Sequence, residues 1–172
     1  EINANGGVLG RQLEADVQDC SNTTDIAINA TNKLVSNHVA GIIGPHYSSL
    51  GLAVESIIKD AKVPMLVGGT SPKFVSDVDN DYLFRIRASD TLQAAAAAAY
   101  LVDGLKATKV AILYGSDDFG TGGMQVASGY FDSVGVSYCV QSFNNEDTDV
   151  TSQILKCINE GCDAALIWAT EA

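Results

Sequence analysis

Short apolar runs rich in β-branched residues alternate along this chain with longer stretches whose apolar positions recur every three or four residues. Strand-period and helix-period segments taking turns are the mark of βαβ units around parallel sheets. "LEADVQ", Leu13 to Gln18, has period two and predicts the first strand. "TTDIAINATNKLVSN" predicts a helix capped by Thr23 or Thr24, with Ile26, Ala30 and Leu34 on one face. "AGIIG" predicts a strand, Ser49 to about Ala61 a helix, "PMLVG" a strand, and "LFRIRA", Leu83 to Ala88, another. A long helix is expected from Asp90, then a strand over Lys109 to Tyr114 and a helix over about Gly122 to Val134. The pattern closes with a strand at "VSYCVQSF", a helix at "DVTSQILKCINEG" capped by Asp149, and a strand at "AALIW". The fold class that follows is α/β, with doubly wound parallel sheets.

In open α/β sheets, ligands sit outside the carboxyl ends of the strands, which singles out two turns. In "GPHYSS", Gly44 and Pro45 shape a turn, and Ser48 and Ser49 put hydroxyls and unpaired N–H groups at a helix start. Two readings stay open: the serines cap their helix, or they open a cradle for a carboxylate. His46 and Tyr47 flank the cradle, as walls of a pocket or as surface residues. In "VGGTSP", Gly68 and Gly69 let the backbone approach a guest and Thr70 offers a hydroxyl, although Gly-Gly before Ser-Pro is also an ordinary loop. Asp90 caps the long helix or holds a negative charge at its start.

Composition narrows the partners. With 10 basic against 21 acidic residues and a net charge of −11, the chain offers no basic patch for nucleic acid or an anionic membrane surface. No apolar run approaches the roughly 20 residues of a membrane span, and no signal segment is recognised. Residues 1–88 carry net −3 and residues 89–172 carry −8, so charge shifts near "RASD", Arg87 to Asp90. The run Ala94 to Ala99 favours close helix packing or is simply low complexity. Of four cysteines, only Cys157 and Cys162 lie close in sequence, as a local disulfide or as buried thiols; Cys20 and Cys139 are expected unpaired. Neither they nor His38 and His46 form a metal-ligand pattern. No G-x-S-x-G elbow, Walker loop or dinucleotide fingerprint is present, so no catalytic residue and no cofactor is assigned.

The stretches "EINANGGVLGRQLEADVQD", "AGIIGPHYSS", "VPMLVGGTSP", "YLFRIRASD" and "KVAILYGSDDFGTG", in this order, resemble the periplasmic-binding-protein type I family. The resemblance is closest to branched-chain amino-acid-binding proteins of ABC transporters. It implies a two-lobed fold, incomplete here: residues 1–88 part of lobe 1 with its first strand missing, residues 89–172 part of lobe 2 with its C-terminal portion missing. A helical turn at the start and a strand at the end fit a piece of a longer chain. Ser48 matches the family's carboxylate contact and Thr70 its ligand-contact threonine. Phe119 stands where amino-acid-binding members often carry a tyrosine, keeping the aromatic face and losing the hydroxyl. The expected ligand set is therefore Tyr47, Ser48, Ser49, Gly68, Gly69, Thr70, Asp90 and Phe119. The implied function is extracytoplasmic capture of a small, apolar amino acid by lobe closure for a membrane permease, in the periplasm or as a surface lipoprotein. The alternative is a sensing domain for an amide, aromatic acid or other small carboxylate. As a fragment, the chain would self-associate through exposed strand edges.

Overall fold

The computed structural model describes residues 1–170. It contains two three-stranded parallel sheets, in the orders β1-β2-β3 and β5-β4-β6. In the first, β1 (Ile42–Ile43), β2 (Met65–Val67) and β3 (Leu83–Arg85) align Ile42 with Met65 and Met65 with Leu83. In the second, β4 (Lys109–Gly115) is central and pairs in register with β5 (Ser137–Phe143) and β6 (Ala164–Trp168). The expected α/β class with parallel sheets is what the chain adopts.

Helices α1 (Thr24–Ser36) and α2 (Ser48–Ala61) cover one face of the first sheet. Their core joins Ala27, Leu50, Val54 and Ile58 to Ile42, Met65, Val67 and, from the short helix α3 (Lys73–Ser76), Phe74. Side chains alternate across a strand, so Ile43, Leu66 and Phe84 point to the opposite face, where they are exposed. The second sheet is thicker. Val110 and Ile112 of β4 pack with Ala98, Ala127 and Phe131 from α4 (Asp90–Ala99) and α5 (Asp118–Val134). The alternate residues Ala111 and Leu113 meet Cys139 and, from α6 (Thr151–Asn159), Cys157.

Four expectations need correction. Leu13 to Gln18 forms no ladder; Leu13 and Val17 are exposed, and a period-two pattern makes a strand only where another strand can pair with it. The buried positions of α1 are Ala27 and Thr31, with Ile26 outside that face. Helix α5 begins at Asp118 rather than near Gly122, because Asp117 caps it by accepting the Gly120 N–H at 2.7 Å. Its glycines serve packing: a Cβ on Gly122 would lie 2.7 Å from Pro72 Cδ. Finally, Ser89, not Asp90, caps α4 through the Thr91 N–H. Asp149 does support the start of α6, accepting the Thr151 N–H at 2.8 Å.

Candidate functional site

Each turn of interest leaves the carboxyl end of a parallel strand, and together these turns line one cavity of about 440 Å³. From beyond β1 come His46, Tyr47 and Ser48; from beyond β2, Gly68, Gly69 and Thr70; from beyond β3, Arg87. The second sheet contributes Phe119 in the first turn of α5 and Ala169 and Thr170 just past β6. Six of the eight expected ligand residues are thus brought together. Ser49 and Asp90 stand outside the lining.

Ser48 is the joint between the first two turns. The cap position of α2 is Tyr47, whose side chain makes no cap bond, so Ser48 is already helical and its hydroxyl is turned toward the next loop. There Ser48 Oγ accepts the backbone N–H of Thr70 and of Ser71, both at 3.1 Å. The residue is only 2 % exposed. With its lone pairs engaged, the hydroxyl keeps its own proton for donation, and accepted bonds polarise it toward donating. Gly69 makes this approach possible, since a Cβ there would sit 2.9 Å from Ser48 Cα and 2.6 Å from Phe74 Cε2.

The walls are aromatic and cationic. The imidazole of His46 meets the Tyr47 ring edge-on at 5.5 Å. Arg87 Nη1 donates to His46 Nε2 at 3.4 Å, a direction fixed by arginine having no acceptor. Opposite them, Phe119 stacks on Trp168 with centroids 5.5 Å apart. One residue before it, Asp118 accepts from Lys73 Nζ at 2.5 Å, tying α5 to the short helix α3 and holding the ammonium above its ordinary pKa.

Behind the cradle lies Asp90, fully buried, with neither carboxylate oxygen hydrogen-bonded. Its backbone N–H donates to Thr70 O at 2.9 Å. Burial pushes its pKa up, while the nearby Thr70 hydroxyl and the charges of Arg87 and Arg85 pull it partly back. A buried anion without a hydrogen bond is costly, so this carboxylate is set up to take a proton or a cation. Among the described residues, no group of three or more His, Cys, Asp and Glu is arranged to hold a metal ion.

The family model described as periplasmic binding protein matches residues 1–172, the whole chain. The chain belongs to the periplasmic binding protein family. Among relatives, the amino acid binding protein of Pseudomonas aeruginosa is 26% identical over 137 residues, covering 79% of this chain and 37% of the relative. The leucine-, isoleucine-, valine-, threonine- and alanine-binding protein of the same organism is 25% identical over 162 residues, covering 94% and 43%. The chain therefore spans less than half the length of these periplasmic binding proteins. Among solved structures, the leucine binding protein LivK of Thermotoga maritima superposes with a TM-score of 0.89 at 24% identity, over 96% of this chain and 47% of that one. LivJ of Streptococcus pneumoniae, solved with isoleucine, gives 0.82 at 25% identity, over the same shares. The type I architecture of the family is thereby shared, and the relatives are solute-binding proteins.

Arg87, Ala169 and Thr170 are lining residues beyond the expected set, and His46, open between wall and surface in the sequence, is a wall. The signal for the first three was present. The rule that ligands gather past the carboxyl ends of strands, applied to "LFRIRA" and "AALIW" as it was to "AGIIG", leads to the residues just beyond them.

Proposed function

We propose that this chain is part of the extracytoplasmic solute-binding component of an ABC importer, with residues 1–88 in one lobe and residues 89–172 in the other. It captures a small amino acid in the cavity between them. The observation that carries this reading is the convergence of five strand ends, from both sheets, on one cavity. The carboxylate of the guest accepts hydrogen bonds from the Ser48 and Thr70 hydroxyls, near the amino end of α2, where the helix dipole favours negative charge. Asp90, buried behind Thr70, supplies the field for the ammonium. Phe119 swings in with the second lobe and covers the side chain. No bond is made or broken; closure is the output, read by a membrane permease. The names of the relatives favour a branched-chain or other apolar amino acid, and their family supports the reading of a protein that works outside the cytoplasm. No described helix is long and apolar enough to cross a membrane.

One observation favours a second reading. Among the described residues the walls are His46, Tyr47, Arg87 and Phe119, and no Leu, Ile or Val side chain lines the cavity. Such walls suit an aromatic acid, an amide or another small carboxylate, taken up by an importer or by a sensing domain of the same fold. On its own, this chain would self-associate through exposed strand edges, such as that of β1 in the first sheet.

Calorimetric titration of the full-length protein with amino acids, amides, aromatic acids and sugars separates these readings. Ser48→Ala is expected to weaken binding by about 1.5–3 kcal/mol, the worth of a hydrogen bond to a charged group. Unchanged affinity in that variant would take Ser48 out of the site.

A further inference from the structure

The mechanism above leaves one chemically capable cluster unused, on the face of the second sheet that α6 covers. Cys139 of β5 and Cys157 of α6 are both buried, and their sulfurs stand 3.1 Å apart. Cys162, half-buried in the turn after α6, packs beside them, and its N–H donates to Cys157 O at 3.1 Å. All four cysteines of the chain are thiols here. The pairing suggested by sequence proximity, Cys157 with Cys162, is not the one the fold brings into contact. Cys139 comes from 18 residues away instead.

We propose that Cys139 and Cys157 form a disulfide in the mature protein, with Cys162 remaining a thiol. This rests on the extracytoplasmic location argued above, where disulfides form and persist. Two sulfurs already in contact need only a small side-chain rotation to bond, and the rigid strand and helix that carry them fix the approach. The chemistry balances as an exchange. The two thiols give up two protons and two electrons to an external disulfide, which leaves as two thiols; the intermediate is a mixed disulfide on one cysteine, attacked by the other. Burial, then the Cys139 contact, pushes the Cys157 thiol up to about 12, and burial raises Cys162 as well. Thiolate is therefore scarce once the helix has docked, so the bond is made while α6 is still settling on β5. Once made, it is shielded from reductants by Ala111, Leu113 and Phe143. Its effect is to staple α6 to the sheet edge that the loop from Asn144 to Val150 would otherwise leave free to open.

The test is peptide mapping of the full-length protein refolded with oxidised glutathione, then alkylated under denaturing conditions. The expected result is a linked pair of peptides carrying Cys139 and Cys157, two hydrogens lighter than the free peptides and lost on reduction, with Cys20 and Cys162 alkylated. Alkylation of all four, or a link through Cys162 or Cys20, overturns the proposal. A second measurement compares melting before and after reduction. Wild type and Cys162→Ala should lose several degrees on reduction, and a double Cys139→Ala, Cys157→Ala variant should lose none. A drop retained in the double variant also overturns it. No ligand is needed, so the result is independent of whether the binding reading holds.

Discussion

The two sheets are built from the same kind of unit and are finished differently. β4 is buried on both faces, with Ile112 under α4 and α5 and Leu113 toward α6. Among the described residues, the first sheet is covered by α1 and α2 on one face, and its strands are two or three residues long. On its other face Ile43 is 85 % exposed. Yet three of the five turns that line the cavity come from this thinner sheet. Rigidity there is supplied less by the strands than by the bonds between turns, Ser48 to Thr70 and Ser71 foremost. A site can thus be held by turn-to-turn hydrogen bonds where the sheet beneath is modest.

This contrast can be broken most forcefully in the second sheet. Ile112→Ala removes a fully buried side chain and should cost about 2–5 kcal/mol in denaturant unfolding. Ile43→Ala, on the open face of the first sheet, should stay within about 0.5 kcal/mol. Equal losses would mean the two sheets are equally covered in solution.

Asp90, at the junction between the sheets, sharpens the comparison through pH. Its folded pKa is raised above the ordinary 3.8, so its contribution to stability is greatest below that value and is lost as pH rises through the folded pKa. Asp90→Asn should therefore melt higher than wild type near pH 7, with the gap closing toward about pH 4, while binding of an ammonium-bearing ligand weakens. A gap that does not change with pH would show that burial does not raise the Asp90 pKa. A modest effect belongs to the ion pair between Lys73 and Asp118. Lys73→Ala should cost about 0.2–1 kcal/mol in melts at low salt and nothing at high salt, as expected for a partly exposed pair.

Much of this was legible in the residues. The strands "AALIW" and "KVAILY" are read almost residue for residue, because continuous apolar runs mark strands of parallel sheets; β4 is buried on both faces, while β6 leaves Ala165 and Ile167 exposed. Leu13 to Gln18 misled because alternation records a preference for a face and says nothing of a neighbour to pair with. The start of α5 was hidden by Gly120, Gly122 and Gly123, which suggest a loop when their contacts with Gly115, Pro72 and Trp168 are unknown. In the site, Ser48 and Thr70 stood out by residue type and position. That one binds the other's backbone did not, since the bond spans 22 residues. Nor could sequence reveal that Phe119 rests on Trp168, or that Arg87 reaches across to His46.

The bond from Lys73 to Asp118 adjoins Phe119 in the chain, so the position of the aromatic wall is tuned by an electrostatic tether. Ions in the medium weaken that tether. Under the proposed function, binding of even an uncharged guest would then carry a dependence on ionic strength, inherited from the doorpost and not from the guest.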